Sequence, residues 1–272
     1  MKEFDKNIEI NFLINELIST NERIDNDMEI PNDYEEKRKL LRALMNIQTP
    51  VQLSDEFYEI QDQILSEETN TKDLISCMDI NPISQNHDGI DSKIALWQGD
   101  ITCLKVDAIV NAANGQMLGC FIPLHNCIDN QIHSAAGFQL RMDCYKIMQE
   151  QGHEEENGNA KITSAYNLPS KYVIHTVGPA IANGREPNER EIKELESCYE
   201  SCLELADEYG LKSIAFCSIS TGVFNFPKDQ ASKLAIETVR NYLKNNPKTS
   251  IERVIFNTFS DEATEIYRKN LK

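Results

Sequence analysis

"VDAIVNAANGQMLGCFIPLHNCID", Val106 to Asp129, decides how this chain is read. It opens on a short apolar, β-branched run, Ala108 to Val110, and leaves that run through Asn111 and Asn114. A glycine-bearing connection follows. Then comes a helix-period segment, "CIDNQIHSAAGFQLRMDCYKIMQ", from Cys127 to Gln149. Strand, polar exit and helix in that order form the repeating unit of an α/β sandwich. In open sheets of this kind, ligands sit on the loops outside the carboxyl ends of the strands.

The alternation extends on both sides. "KIALWQ" (93–98), "KITSAYNL" (161–168), "KYVIHTV" (171–177), "SIAFCSI" (213–219) and "ERVIFNTF" (252–259) read as strands. "EREIKELESCYESCLELADEYG", "PKDQASKLAIETVRNYLK" and "DEATEIYRKNL" read as helices, with Pro227 suited to the first helical position of the second. A largely parallel or mixed sheet, covered on both faces, is therefore expected from Lys93 onward. Upstream, "NIEINFLINELIST", "NDYEEKRKLLRALMNIQ" and "SDEFYEIQDQILSEE" read as helices, the second stopping before Pro50 and the third starting on Ser54 as N-cap. "NPISQNHDGIDS" (81–92) has the composition of a linker. The expected organisation is an N-terminal helical extension, residues 1–92, packed on a domain spanning 93–272.

The chain has 272 residues and is 40% hydrophobic, enough for one sizeable core and an extension. The net charge of −17 is concentrated early, with 21 acidic against 8 basic residues before Lys93 and 23 against 19 after it. A field of that sign disfavours nucleic-acid backbones, whose binding rests on Lys and Arg. It leaves room for a small anion held by backbone amides. No stretch approaches the ~18 apolar residues of a membrane span, and "MKEFDKNIEI" lacks the apolar core of a secretory leader. The eight cysteines show no small-domain framework, so free thiols or metal ligands are expected rather than disulfides. A cytoplasmic monomer, binding neither nucleic acid nor membrane, is the resulting expectation.

Three strand exits carry unusual residues. In "QGDITCL", Asp100 can accept from an amine or amide, or simply cap a turn. In the opening stretch, Asn111 and Asn114 offer donors and acceptors at a buried strand end. Cys120, His125 and Cys127 follow in the spacing C-x4-H-x-C. Two thiolates and an imidazole make a three-ligand zinc set with one open position. The spacing alone fits two buried thiols and a loop histidine equally well. In "SISTGVFNFP", Ser220, Thr221 and Gly222 suit an anion, and Phe224 could stack on a ring. Asp129 and His133, four apart, share a helix face, where Asp129 also has an ordinary role as a helix-start acid. Cys198 and Cys202 fall on a core stripe, and Trp97 ends a strand as a core residue.

In order along the chain, "GDIT", "VDAIVNAAN", "IDNQIHSAAG", "YVIHTVGP" and "STGVFNFP" resemble the macrodomain family, whose members bind ADP-ribose on an α/β/α sandwich with a mixed sheet. The branch it is most similar to is the MacroD-type hydrolase, with "GCFIPLHNCID" in place of a glycine-rich loop. That replacement resembles the zinc-containing macrodomains of bacteria and fungi, which also carry an N-terminal helical extension. In many bacteria these are linked to a sirtuin-type ADP-ribosyltransferase and to a lipoyl-carrier protein like glycine cleavage H protein. The resemblance implies Zn²⁺ on Cys120, His125 and Cys127. It implies that Asp100 and the Ile101 backbone hold adenine, and that Ser220, Thr221, Gly222, Val223 and Phe224 wrap the diphosphate. Asn111, Asn114, Cys127, Ile128 and Asp129 would line the distal ribose, with Asn114 and Asp129 catalytic.

The implied activity is zinc-dependent hydrolysis of mono-ADP-ribose from Asp or Glu side chains of a modified protein. A zinc ion there would act as a Lewis acid or lower the pKa of an attacking water to about 7. Asp129 would orient that water or take its proton. Two positions depart from the pattern: Val223 stands where some zinc-type members carry an acid, and Asn225 replaces a glycine common in MacroD-type loops. Two alternatives follow, a reader that binds ADP-ribose without cleaving it and an O-acetyl-ADP-ribose deacetylase.

Overall fold

The expected strands assemble into one sheet in the computed structural model, which describes residues 5–85, 89–182 and 184–272. Residues 86–88, in the middle of the expected linker, lie outside the described residues. The strands are β1 (Ile75–Ser76), β2 (Ile94–Gln98), β3 (Leu104–Lys105), β4 (Ala108–Ala113), β5 (Ala160–Ser164), β6 (Tyr172–Val177), β7 (Ser213–Phe216) and β8 (Arg253–Thr258). Six of them form a mixed sheet in the order β2-β8-β7-β4-β6-β5. Every neighbouring pair is parallel except β5 with β6. β4 and β7 are buried almost throughout, which is why both read as continuous apolar runs. β1 and β3 make a separate parallel pair of two residues each.

The helices are α1 (Lys6–Ser19), α2 (Tyr34–Ile47), α3 (Asp55–Thr71), α4 (Ile128–Ala136), α5 (Phe138–Gln151), α6 (Glu189–Glu208), α7 (Lys228–Asn245) and α8 (Asp261–Asn270). α6, α7 and α8 pack on one another, while α4 and α5 pack on the sheet and, through α4, on α2 and α3. The segment expected as one helix from Cys127 is two. Gly137 breaks it at φ +105°, and a Cβ there would stand 2.6 Å from Gln61 Nε2. Pro227 is the N-cap of α7 rather than its first residue. β7 stops at Phe216, three residues short of the expected run, and its exit is the loop that matters below. Trp97 is half-buried at the end of β2 rather than enclosed.

The interior falls into two main clusters. One surrounds the sheet, with Val110, Ile174, Tyr199, Phe216 and Phe256. The other belongs to α1–α3 through Leu13, Leu17, Leu41, Leu44, Phe57 and Ile64, and it takes in Phe138 from α5. Each such side chain contributes about 1.5–3 kcal/mol on burial. The extension is thus held by its own core, by Phe138 and Met142 of the layer it covers, and by hydrogen bonds to that layer such as Arg141 Nη1 to Met45 O.

Candidate active site

Because β2, β4, β6, β7 and β8 run parallel, the loops leaving them share one edge of the sheet. Asp100 sits in the turn after β2. Its Oδ1 accepts from Thr102 N–H at 2.9 Å and Thr102 Oγ1 at 2.8 Å, the ordinary capping role. Its Oδ2 lies 3.9 Å from Lys72 Nζ, and the side chain is half exposed. The Ile101 side chain is buried, so only its backbone faces the turn.

The loop after β7 is wound tightly. Ser220 and Asn225 take left-handed backbone conformations, at φ 61° and 55°. Phe226 N–H donates to Ser220 O at 2.9 Å, and Ile181 N–H donates to Phe224 O at 2.7 Å. Ser220 Oγ is buried and without a hydrogen-bond partner. A Cβ on Gly222 would meet nothing within 4 Å, so this glycine faces open space. Thr221 and Phe224 are half-buried, Gly222 is exposed, and Val223 is 68% exposed at the rim. An unpaired hydroxyl beside an open, backbone-lined turn is what an anionic oxygen would fill.

The loop after β4 holds the triad. Asn114 organises its start, donating to Gly119 O at 3.1 Å and accepting from Gln116 N–H at 3.1 Å. Met117 and Leu124 are left-handed, at φ 58° and 55°. Four of the five described non-glycine residues with positive φ therefore lie in these two loops, which is where functional sites concentrate strain. Cys120 Sγ and His125 Nδ1 are 3.7 Å apart. The donor atoms of Cys120, His125 and Cys127 all lie within 4.8 Å of one another. The edges of a zinc tetrahedron with these ligands measure about 3.6–3.8 Å, so the Cys120–His125 separation matches one edge and the donor chemistry of the set suits the ion. Burial and the neighbouring Cys120 thiol push the Cys127 thiol up to about 12. A bound cation would deprotonate such thiols. Cys127 also caps α4, its Sγ accepting from Asn130 N–H at 3.4 Å. Ile128 begins that helix, half-buried.

Asp129 follows on the first turn of α4, nearly buried. Burial pushes its carboxyl up to about 6, while the Asn111 hydrogen bond and the nearby Arg141 guanidinium limit the rise. Asn111 is wholly buried and faces this carboxylate rather than the open edge, donating from Nδ2 to Asp129 Oδ1 at 2.8 Å. The same nitrogen lies 3.2 Å from His175 Nδ1. An amide nitrogen can only donate, so His175 accepts at Nδ1 and carries its proton on Nε2, 3.0 Å from Thr163 Oγ1.

His133, Cys144 and His175 form a second close group, all buried, with donor atoms within 4.8 Å. Both nitrogens of His175 are engaged, and burial pushes the Cys144 thiol up. His133 Nε2 lies 3.5 Å from Asp129 Oδ1 without a hydrogen bond. Burial, with Arg141 and His175 nearby, holds the His133 imidazole well below its ordinary value. It is neutral, so this approach is not an ion pair. The second group is buried, with His175 hydrogen-bonded and His133 without a partner.

Two further residues bear on the site. Phe259, 80% exposed, follows β8 directly beside the Asp100 turn, where Gly99 N–H donates to Thr258 O at 2.9 Å. Its signal was an aromatic residue in an otherwise polar exit, "NTFSD". Arg141 is buried on α5, its guanidinium 4.7 Å from the centre of the Phe121 ring. Its signal was a charge three residues from both Phe138 and Cys144, on the apolar stripe of the helix.

The Macro domain family profile matches residues 110–235. The chain is 48% identical to a protein-ADP-ribose hydrolase of Treponema medium, over 95% of this chain and 96% of that one. It is 45% identical to a protein-ADP-ribose hydrolase of Staphylococcus aureus (strain MSSA476), over 96% and 94% of the two chains. Among solved structures, a Trypanosoma brucei macrodomain in complex with ADP-ribose superposes with a TM-score of 0.66 at 28% identity. That match covers 85% of this chain and 95% of the other. The mixed sheet, the flanking helices and these relatives agree, and the chain belongs to the macrodomain family.

Proposed function

We propose that this protein is a zinc-dependent hydrolase that removes mono-ADP-ribose from Asp or Glu side chains of a modified protein. The products are ADP-ribose and the free carboxylate. One observation carries the reading: a triad of converging Cys and His donor atoms and a buried carboxylate held by Asn111 meet at the N-terminal turn of α4. The relatives named protein-ADP-ribose hydrolase support the reaction class.

In this reading adenine lies between Asp100, the Ile101 backbone and the exposed ring of Phe259. The diphosphate takes the open turn at Gly222 and the unpaired Ser220 hydroxyl, with Thr221, Val223 and Phe224 around it. Asn114, Cys127 and Ile128 line the distal ribose. Cys120, His125 and Cys127 would hold Zn²⁺, and the ion would supply Lewis acidity beside the sugar ester. Asp129 orients the attacking water and accepts its proton, and Asn111 keeps that carboxylate in place. By resemblance, the modified partner is a lipoyl-carrier protein acted on by a sirtuin-type transferase.

The exposed Val223 favours one other reading, a module that binds ADP-ribose and leaves the modified protein intact. The decisive experiment measures ADP-ribose release from an aspartate-modified protein, with metal content assayed on the same sample. Release with about one zinc per chain, lost on stripping and regained on adding zinc, is expected. Tight ADP-ribose binding with no release would establish the reader instead. Release confined to O-acetyl-ADP-ribose would move the substrate to that ester.

A further inference from the structure

We propose that helix α2 of the extension is a wall of the active site: Arg42 and Asn46 are positioning residues that hold the Cys120–Cys127 loop in its ligand-bearing shape. The metal half of this inference rests on the zinc reading above, and the loop half does not.

The loop from Asn114 to Cys127 has no helix or strand of its own and contains two left-handed non-glycine residues. Such a segment keeps one shape only if its backbone groups are tied down. Leu124 N–H donates to Asn46 Oδ1 at 2.9 Å. The carbonyl of the following residue, His125 O, lies 3.4 Å from Arg42 Nη2. The ligand His125 is therefore fixed on both sides of its own Cα by two residues one turn apart on α2. At the other end of the loop, Arg141 Nε donates to Leu118 O at 2.7 Å. Arg141 Nη1 also reaches Met45 O at 2.5 Å and Gln48 O at 2.7 Å, the carboxyl end of α2.

A buried polar chain closes the arrangement. Asn46 Nδ2 donates to Ser134 Oγ at 3.1 Å, and Ser134 Oγ donates to Asn130 Oδ1 at 3.2 Å. Asn130 Oδ1 also accepts from Arg42 Nη2 at 2.8 Å. Asn130 then reaches the loop twice, through Nδ2 to Ile122 O at 3.0 Å and through its backbone N–H to Cys127 Sγ. Asn46 and Asn130 are essentially inaccessible. Buried networks of this kind act as a unit and specify one geometry. Groups that orient metal ligands typically change metal affinity 10–100-fold when removed.

The test uses the full chain with Arg42→Ala, Arg42→Lys and Asn46→Ala. Arg38→Ala is the control, because Arg38, one turn before Arg42 on α2, directs its hydrogen bonds to Glu68 of α3 instead. Two quantities are read: amide hydrogen exchange of residues 118–127 in the zinc-free protein, and zinc affinity by chelator competition. Arg42→Ala and Asn46→Ala should speed loop exchange on the order of 10-fold or more and weaken zinc 10–100-fold. Arg42→Lys should fall between, since the shorter lysine keeps the charge but places its ammonium short of where Nη2 meets Asn130 and His125. Arg38→Ala should match wild type. Unchanged loop exchange in both Arg42→Ala and Asn46→Ala overturns the proposal, as does general acceleration that includes α7. Faster loop exchange with unchanged zinc affinity overturns its metal half. A wild-type chain that takes up no zinc removes the zinc reading, while exchange still decides whether α2 holds the loop.

Discussion

The two cysteine–histidine groups of this chain differ less in composition than in commitment. Cys120, His125 and Cys127 lie half-buried in a loop, and their donor atoms face one another with few other partners. His133, Cys144 and His175 lie closer to the core, and His175 has spent both nitrogens on Asn111 and Thr163. A metal needs lone pairs that converge where an ion can reach them; in the second group both nitrogens of His175 are taken, and those of His133, though without a hydrogen-bond partner, are sealed in the interior. The same count of committed atoms sorts the acids. Among the described residues only Asn111 donates to Asp129, whereas Tyr242, Thr249 and Ser250 all donate to Asp207.

The largest effect should separate the two groups directly. Cys120→Ala is expected to lose zinc and to lower turnover on the order of 10³-fold or more, because one of three protein ligands is gone. Cys144→Ala should keep its zinc and most of its turnover. Metal analysis and ADP-ribose release on both variants check this. Full turnover in a zinc-free Cys120→Ala chain would break the comparison, as would zinc loss in Cys144→Ala.

Asp129→Asn comes next. It keeps the shape and removes the base, so turnover should fall about 10²–10⁴-fold. ADP-ribose affinity by calorimetry should stay within a few-fold. A parallel loss of affinity would place Asp129 in binding instead. Asn111→Ala should be milder. It strips the donor from Asp129 and leaves His175 Nδ1 unpaired, at a cost of about 1–3 kcal/mol in stability. Turnover should drop roughly 10-fold through kcat, with ADP-ribose affinity held, as expected of a residue that acts through another. An affinity loss larger than the kcat loss would return Asn111 to the ligand surface.

Much of this was legible in the chain itself, for identifiable reasons. Strands β4, β6, β7 and β8 are buried, and buried parallel strands read as apolar runs. The triad was legible because its members sit within eight residues of chain, Cys120 to Cys127. The break at Gly137 was not, because a single glycine is tolerated in a helix pattern; here the N–H of Phe138, first in α5, is taken by Gln61 Oε1 at 2.8 Å, from a residue distant in sequence. Asn111 looked like a ligand residue because a strand-end asparagine reads the same whether it faces solvent or a buried carboxylate. Arg42, Asn46 and Arg141 were illegible in their roles, since their partners lie 78 to 96 positions away in the contacts with Leu124, Asn130, Met45 and Gln48. No local period records such a contact.

The smallest predicted effect tests the same principle away from the site. Burial alone would raise the Asp207 carboxyl, but hydrogen bonds from Thr249, Tyr242 and Ser250 outweigh it and hold the group below its ordinary value. A folded-state value below the unfolded one means that the contribution is present above the unfolded pKa, about 3.9. It is lost as pH falls through the folded value. Asp207 ties the end of α6 to Tyr242 of α7 and to the approach to β8. Asp207→Asn keeps one acceptor oxygen and should therefore destabilise by about 1–2 kcal/mol at pH 7, read from urea unfolding. The difference between variant and wild type should shrink below about pH 4, because the native carboxyl is then losing its charge as well. A difference that stays constant down to the acid transition would show that Asp207 contributes by shape alone, and commitment of donor atoms would no longer explain why its acidity and that of Asp129 move in opposite directions.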